Sequence, residues 1–264
     1  MSSGSITRRG KSSWRIKFDI GRDPVTGKRR TQYLTVRGTK KDAQRELTKR
    51  LSEVDGGLYV ERSTVTLAEY ARHWCQSIAP AKCGAKTLER YSEIVEKTII
   101  PQLGELPLQQ ISGTRIDEFY AHLRTAGRRD GKGGLAPQTV LHVHRLLSQI
   151  FSSAVKARKL GRSPMAEVQA TPSVRREEVQ VLTSEELARL FRHLKGKVLY
   201  MPVLVAASTG MRRGEVLALR WKDIDFAAAT LEVRQVIEQT RDEGLQMKEP
   251  KTDRSRRTIA LPAR

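Results

Sequence analysis

The chain has 264 residues, 38% of them hydrophobic and 30% charged, enough apolar material for two or three modest domains rather than one large one. Its formal net charge of +20 and pI near 10.4 carry a cost in self-repulsion and point to a polyanionic partner, nucleic acid ahead of a membrane surface or a merely solvated basic face. Cys75 and Cys83 form neither a disulfide framework nor a metal-ligand spacing, no apolar segment follows the basic N-terminus, and the longest apolar run, around 198–207, is too short to span a bilayer. A protein of a reducing cytoplasm, with no membrane partner, is expected.

The basic excess is uneven. Residues 1–50 hold fifteen Lys/Arg against four Asp/Glu, a net of +11, more than half of the total charge. Within them Trp14, Ile16, Phe18 and Ile20 alternate with Arg15, Lys17 and Asp19, the period of a half-buried strand. The "RDPVTGK" stretch supplies turn residues, Tyr33-Leu34-Thr35-Val36 reads as a returning strand, and Ala43, Leu47, Leu51 and Val54 mark one face of a helix over 40–54. The segment reads as a small sheet backed by one helix, with a basic outward face of the kind that enters a DNA major groove. Arg8, Arg9, Lys11, Arg15, Lys17, Lys28, Arg29 and Arg30 are its expected DNA contacts.

After a linker, "DGGLYVERST", Thr66 and Glu69 stand at capping-box spacing and open a helical region. Helical patterns recur over 87–99, 112–123 and 137–159, broken by "PQLGELPL" and the Gly-rich "AGRRDGKGGLAP". Pro137 suits a first turn, and Val140, Val143, Leu146, Leu147, Ile150, Phe151, Ala154 and Val155 form a core stripe. A charged connector over 170–181 precedes a further helix at Thr183, again with a Glu three residues on. The stretch from 225 to 262 then alternates like short antiparallel strands, and the chain holds no repeat at solenoid periods.

Between these elements lies "ASTGMRRGEVLALRWKDIDF", residues 207–226. Thr209-Gly210 breaks one helix and a second starts near Met211, its body buried through Val216, Leu217, Leu219 and Trp221. Arg212 falls on its first turn with Glu215 three residues on. A guanidinium held by a carboxylate at the edge of a core is a fixed fork of donors suited to two phosphate oxygens; the same spacing also describes an ordinary surface ion pair.

"STGMRRGEVLALRWKDIDF" resembles the first catalytic-arginine motif of the tyrosine recombinase (phage integrase) family, and "PKTDRSRRTIALP" resembles its hairpin-lysine motif. "TLERYSEIVEKTIIPQLGELPLQQISGTRIDEFYAHL" with "TVLHVHRLLSQIFSSAVKARKLGRSPMAEV" is similar to the family's helical core-binding domain, and the N-terminal segment to its arm-type DNA-binding domain. The resemblance implies a multidomain α+β fold: a three-stranded sheet plus helix over 1–58, an all-α core-binding domain over 64–168, and over 178–264 the first part of a mainly α catalytic domain with a small antiparallel sheet. It implies that Arg212 and Lys251 are catalytic, with Glu215 as the supporting acid, and that Lys86, Thr87 and Arg90 also meet DNA.

The implied reaction is attack of a tyrosine hydroxyl on a DNA phosphodiester, giving a phosphotyrosyl link and a free 5′-hydroxyl. Arg212 would stabilise the charged oxygens and Lys251 would protonate the leaving oxygen. Neither metal nor nucleotide cofactor is expected, because the covalent link conserves the phosphodiester energy. Partners are double-stranded DNA at arm-type and core-type sites, other protomers, and accessory DNA-bending proteins, in a bacterial cytoplasm at the nucleoid.

The family's His-x-x-Arg box, later His or Trp, and tyrosine fall after the hairpin, whereas this sequence stops at Arg264. His142 to Arg145 matches His-x-x-Arg but sits in the core-binding region, and Tyr120 and Tyr200 precede the hairpin. The 264-residue chain by itself is therefore expected to be inactive. The alternative is a non-catalytic module that occupies attachment-site DNA without cutting it; an unrelated DNA-binding regulator would require both motifs to be coincidence.

Overall fold

A computed structural model describes residues 3–23, 26–174, 178, 180–250 and 255–261. The fold is mixed α+β, and the chain forms two compact units, one of residues 1–79 with 91–174 and the other of 80–90 with 175–264.

In the first unit, β1 (Gly4–Gly10), β2 (Ser13–Arg22) and β3 (Arg29–Arg37) form an antiparallel sheet in the order β1-β2-β3. The alternation in β2 does what its period requires: Ile16 and Phe18 are buried against Ala43 and Leu47 of helix α1 (Lys40–Asp55). Trp14, Ile20, Leu34, Val36, Leu51 and Val54 close over this centre. Strand β1 has no alternation legible by itself. Its one large apolar residue, Ile6, lies opposite Ile16 and completes the inward row. Thr39 caps α1 reciprocally with Asp42, whose amide lies 3.3 Å from the Thr39 hydroxyl while the Thr39 amide lies 2.8 Å from the carboxylate.

The helical part of this unit begins with α2 (Leu67–His73), capped by Thr66 and Glu69 and continued by a wide π turn over Trp74–Ile78. Helix α3 (Ala85–Ile94), whose residues up to Arg90 are counted with the second unit, passes through a second π turn, Val95–Ile99, into the short α4 (Ile100–Leu103). The pattern expected as one helix over 87–99 is thus a longer, interrupted one. Helix α5 (Gly113–Ala126) is capped by Ser112, and α6 (Pro137–Lys156) carries the core stripe, with Leu146, Leu147, Ile150 and Phe151 fully buried. Helix α6 stops three residues short of the expected 159. Arg158 takes a left-handed φ of 53°, the Arg158 amide bonds to Val155 and the Lys159 amide to Ala154, a Schellman closure made here without glycine.

The second unit contains α7 (Ser184–Leu194), α8 (Tyr200–Thr209) and α9 (Arg213–Leu217). Strands β4 (Ile224–Asp225) and β5 (Thr230–Val233) follow, then the hairpin of β6 (Val236–Thr240) and β7 (Gly244–Lys248), then β8 (Arg257–Ala260). Strand β8 returns to pair with β5, giving the order β4-β5-β8. Met211, Leu231 and Val233 form the buried centre, with Val216, Leu219 and Ile259 packed on it. Leu217 and Trp221 depart from expectation, at 54% and 79% exposed. Helix α9 ends after five residues, and a tight turn over Trp221–Asp223 redirects the chain, so the helical period that would have buried both does not continue. Trp221 instead stacks on the exposed Phe226. Among the described residues no helix is long and apolar enough to cross a membrane.

Candidate functional site

The arrangement around Arg212 starts with a helix stop. Gly210 has φ 65°, the left-handed conformation that glycine adopts without a Cβ penalty, and this ends α8. Met211 drops into the core and Arg212 follows with extended backbone as the N-cap of α9, one residue before the first turn on which it was expected. Gly214 lets that turn lie against β6, since a Cβ there would come within 2.8 Å of the Ile237 carbonyl oxygen.

Glu215 is buried, and its two oxygens are fully engaged. Oε2 accepts the Arg212 amide at 2.9 Å and Nη2 of Arg257 at 2.9 Å. Oε1 accepts Nη1 of Arg212 at 2.9 Å and Nη1 of Arg257 at 3.3 Å. Burial would raise the carboxyl pKa, but the hydrogen bonds from the Arg257 guanidinium, the Arg212 amide and the Arg212 side chain outweigh it and bring the value down to about 2. The Arg212 side chain is 73% exposed, whereas that of Arg257 is only 30% exposed. One guanidinium is presented outward and the other is turned in on the same acid.

Arg257 is the residue that the sequence reading did not mark. Its register partner is Val233, and Ile259, two residues on, pairs with Leu231, so Arg257 stands on the core-facing row of β8. An arginine in phase with inward residues of a strand needs an anionic partner, and that was the available signal. Lys251 lies outside the described residues.

On the N-terminal sheet, the register groups Ser5, Lys17 and Tyr33 in one cross-strand row and Thr7, Arg15 and Thr35 in the next, facing away from α1. Arg15 lies over the exposed Tyr33 ring, and Arg29 approaches Asp19 at 3.6 Å on the same side. Two expected contacts fall on the opposite register. Arg8 rests over Trp14 and donates to the Gly10 carbonyl, while Arg30 is 2.5 Å from Glu61. Arg9, Lys11 and Lys28 are exposed around the sheet.

In α3, Lys86 and Arg90 are exposed and Thr87 is half-buried; Lys86 pairs with Glu89 at 2.9 Å. The His142–Arg145 stretch lies within α6, with Arg145 exposed and Gln138 3.2 Å from His142. His144 faces inward, its Nδ1 2.9 Å from the hydroxyl of Tyr120. Tyr120 is fully buried, which pushes its phenol up from the ordinary value, while burial and then the neighbouring Arg145 lower His144. Tyr200, the other tyrosine considered as a nucleophile, is half-buried with its ring against Phe191.

Residues 66–124 match the family profile described as phage integrase, N-terminal SAM-like domain. A tyrosine recombinase XerC-like protein of Caldanaerobacter subterraneus subsp. tengcongensis is 27% identical over 273 aligned residues, covering 98% of this chain and 68% of that one. An integrase of Saccharopolyspora erythraea is 28% identical over 227, covering 85% of this chain and 49% of that one. The chain therefore spans between about half and two thirds of the length of these relatives. Among solved structures, a Tn1549 transposon integrase in complex with a circular intermediate DNA superposes with TM-score 0.61 at 20% identity, covering 75% of this chain and 61% of that one. A lambda integrase dimer bound to a COC′ core site gives TM-score 0.51 at 19% identity, covering 92% of this chain and 65% of that one.

The fold is that of an integrase. The chain is similar over most of its length to tyrosine recombinases and integrases, and its residues 66–124 match their N-terminal SAM-like domain.

Proposed function

We propose that this protein acts in site-specific recombination, integrating phage or mobile-element DNA through a covalent phosphotyrosyl intermediate. The observation that carries this reading is the Arg212 guanidinium, held by one donor on a buried carboxylate and otherwise open to solvent. Such a preorganised cation at a core edge suits the non-bridging oxygens of a phosphodiester, where charge develops during transfer. Arg212 stabilises that charge, Glu215 holds Arg212, and Lys251 protonates the 5′-oxygen as it leaves.

The work divides among three segments: arm-type DNA binding by 1–58, core-site binding by 64–168 with Lys86, Thr87 and Arg90, and phosphate activation by 178–264. Support for DNA as the partner comes from the net charge, the basic outward sheet face and the DNA complexes of the Tn1549 and lambda integrases. Other protomers and accessory DNA-bending proteins complete the assembly at the nucleoid.

A suicide substrate trapped as a covalent adduct on a denaturing gel tests the reading. The protein expressed from its full open reading frame is expected to form the adduct. Arg212→Ala should slow its formation by roughly a hundredfold or more, the scale for one lost preorganised donor. Arg212→Lys should also fail, since an ammonium has no two-pronged contact to offer. Lys251→Ala should recover on a substrate with a bridging sulfur as 5′ leaving atom.

The second reading, a non-catalytic DNA-binding module, is favoured for the 264-residue polypeptide by the state of Tyr120, a buried phenol already hydrogen-bonded to His144. That polypeptide is expected to bind and not to nick. An adduct formed by it would place the nucleophile within these residues, with Tyr200 the first to mutate.

A further inference from the structure

From the shared carboxylate we infer that Arg257 is a positioning residue: it occupies Glu215 so that the Arg212 guanidinium stays turned out toward phosphate. The inference rests on the reading of Arg212 as a phosphate contact and deepens it.

The geometry sets up a competition. A carboxylate and a guanidinium left alone close into a two-pronged pair, two parallel N–H donors on two oxygens. Here Arg212 makes only one side-chain bond to Glu215, through Nη1 at 2.9 Å, and its own amide takes the second oxygen. Arg257 fills the remaining acceptor positions with Nη2 at 2.9 Å and Nη1 at 3.3 Å, and Nη1 also reaches the Ser255 carbonyl at 3.3 Å. With both Glu215 oxygens engaged in this way, Arg212 cannot form the closed fork without displacing Arg257. Most of its donors therefore remain available, in line with its 73% exposure.

Charge points the same way. Two guanidiniums against one carboxylate leave the cluster at a net +1, whereas Arg212 and Glu215 by themselves would be neutral. A phosphate meets attraction in the first case and little in the second. Arg257 itself is the less accessible of the two and is committed to Glu215 on an inward row of β8, so it acts through Arg212 instead of touching DNA.

The test uses the 264-residue chain, a 30-base-pair duplex at moderate salt, and the variants Arg212→Gln, Arg257→Gln, Arg257→Lys and the double Gln variant. Arg212→Gln and Arg257→Gln are each expected to weaken duplex binding by about tenfold, the scale of one charge-assisted contact. The double variant should be no weaker than Arg212→Gln, because Arg257 has nothing left to position. Arg257→Lys keeps the charge and should recover most of the affinity.

A carbon-13 titration of Glu215 gives a readout that DNA does not enter, and reports the cluster even where affinity changes are small. Its carboxyl should move up from about 2 in Arg257→Gln and return toward it in Arg257→Lys. Additive losses in the double variant would mean that Arg257 contacts DNA independently, and would overturn the inference while leaving the role of Arg212 intact. If Arg212→Gln alone binds like the parent chain, the phosphate reading of Arg212 fails and the positioning role falls with it. If Arg257→Gln lowers affinity only through loss of the folded amide spectrum, and Arg257→Lys keeps that spectrum without recovering affinity, the inference is overturned in favour of a fold role.

Discussion

Glu215 is where stability and chemistry meet at the scale of one residue. Its folded carboxyl titrates near 2 against an ordinary 4.5, so the folded state holds its proton less tightly than the unfolded chain. The stabilisation is present above about pH 4.5 and lost as pH falls toward 2, and a shift of this size corresponds to about 3 kcal/mol as an upper figure. Glu215→Gln should lower the urea midpoint at pH 7 and flatten the acid limb between those two values. An acid limb unchanged in shape would mean that the carboxylate is not what holds Arg212 and Arg257 together. Arg212 shows the converse economy, a strongly exposed side chain whose direction is set almost wholly by a buried neighbour.

At the scale of elements, α7 depends on its cap. None of its side chains is fully buried in this structure, so little packing offsets the unpaired amides of its first turn. Thr183 accepts the Glu186 amide and Glu186 returns a bond to the Thr183 amide. Thr183→Ala should cost about 1 kcal/mol and show as faster amide exchange confined to α7; loss spread evenly over the unit would contradict this.

The N-terminal sheet makes a second element-scale prediction, about which arginines matter. Arg15 and Lys17 share the outward face with Tyr33, while Arg30 is held by Glu61 on the other register. Arg15→Ala and Lys17→Ala should each reduce the slope of log affinity against log salt by about 0.9, one phosphate contact apiece. Arg30→Ala should leave the slope unchanged; equal effects at all three positions would show that the sheet has no preferred face toward DNA.

For the molecule as a whole, the chain passes from one compact unit to the other at 79/80, 90/91 and 174/175, the last of these within the charged connector over 170–181. Both units carry basic groups proposed to meet DNA, and tethered modules gain affinity when the linker lets both engage one duplex. Cutting the chain within the connector should therefore weaken core-site binding well below that of the intact chain, as read by gel shift with both fragments present. Equal affinity before and after the cut would show that one unit supplies all of the binding.

The sequence by itself determined what local chemistry controls. The strand alternation from Trp14 to Ile20, the caps at Thr66 and Thr183, the apolar stripe of α6 and the Arg212–Glu215 pair all involve residues within a few positions of each other, where helix or strand periodicity alone decides who meets whom. The early ends of α6 and α9 were less legible, because a left-handed arginine and a tight turn at Trp221 override the helical period. Tertiary structure alone decided the partners brought together from afar: Ile6 opposite Ile16, Tyr120 with His144, and above all Arg257 with Glu215, 42 positions apart. That last contact exists because β8 crosses back to pair with β5 after the intervening hairpin, and the register of that pairing faces Arg257 inward. A one-residue slip in this register would turn Arg257 to solvent with no change in sequence, which is why only the assembled sheet could show where it points.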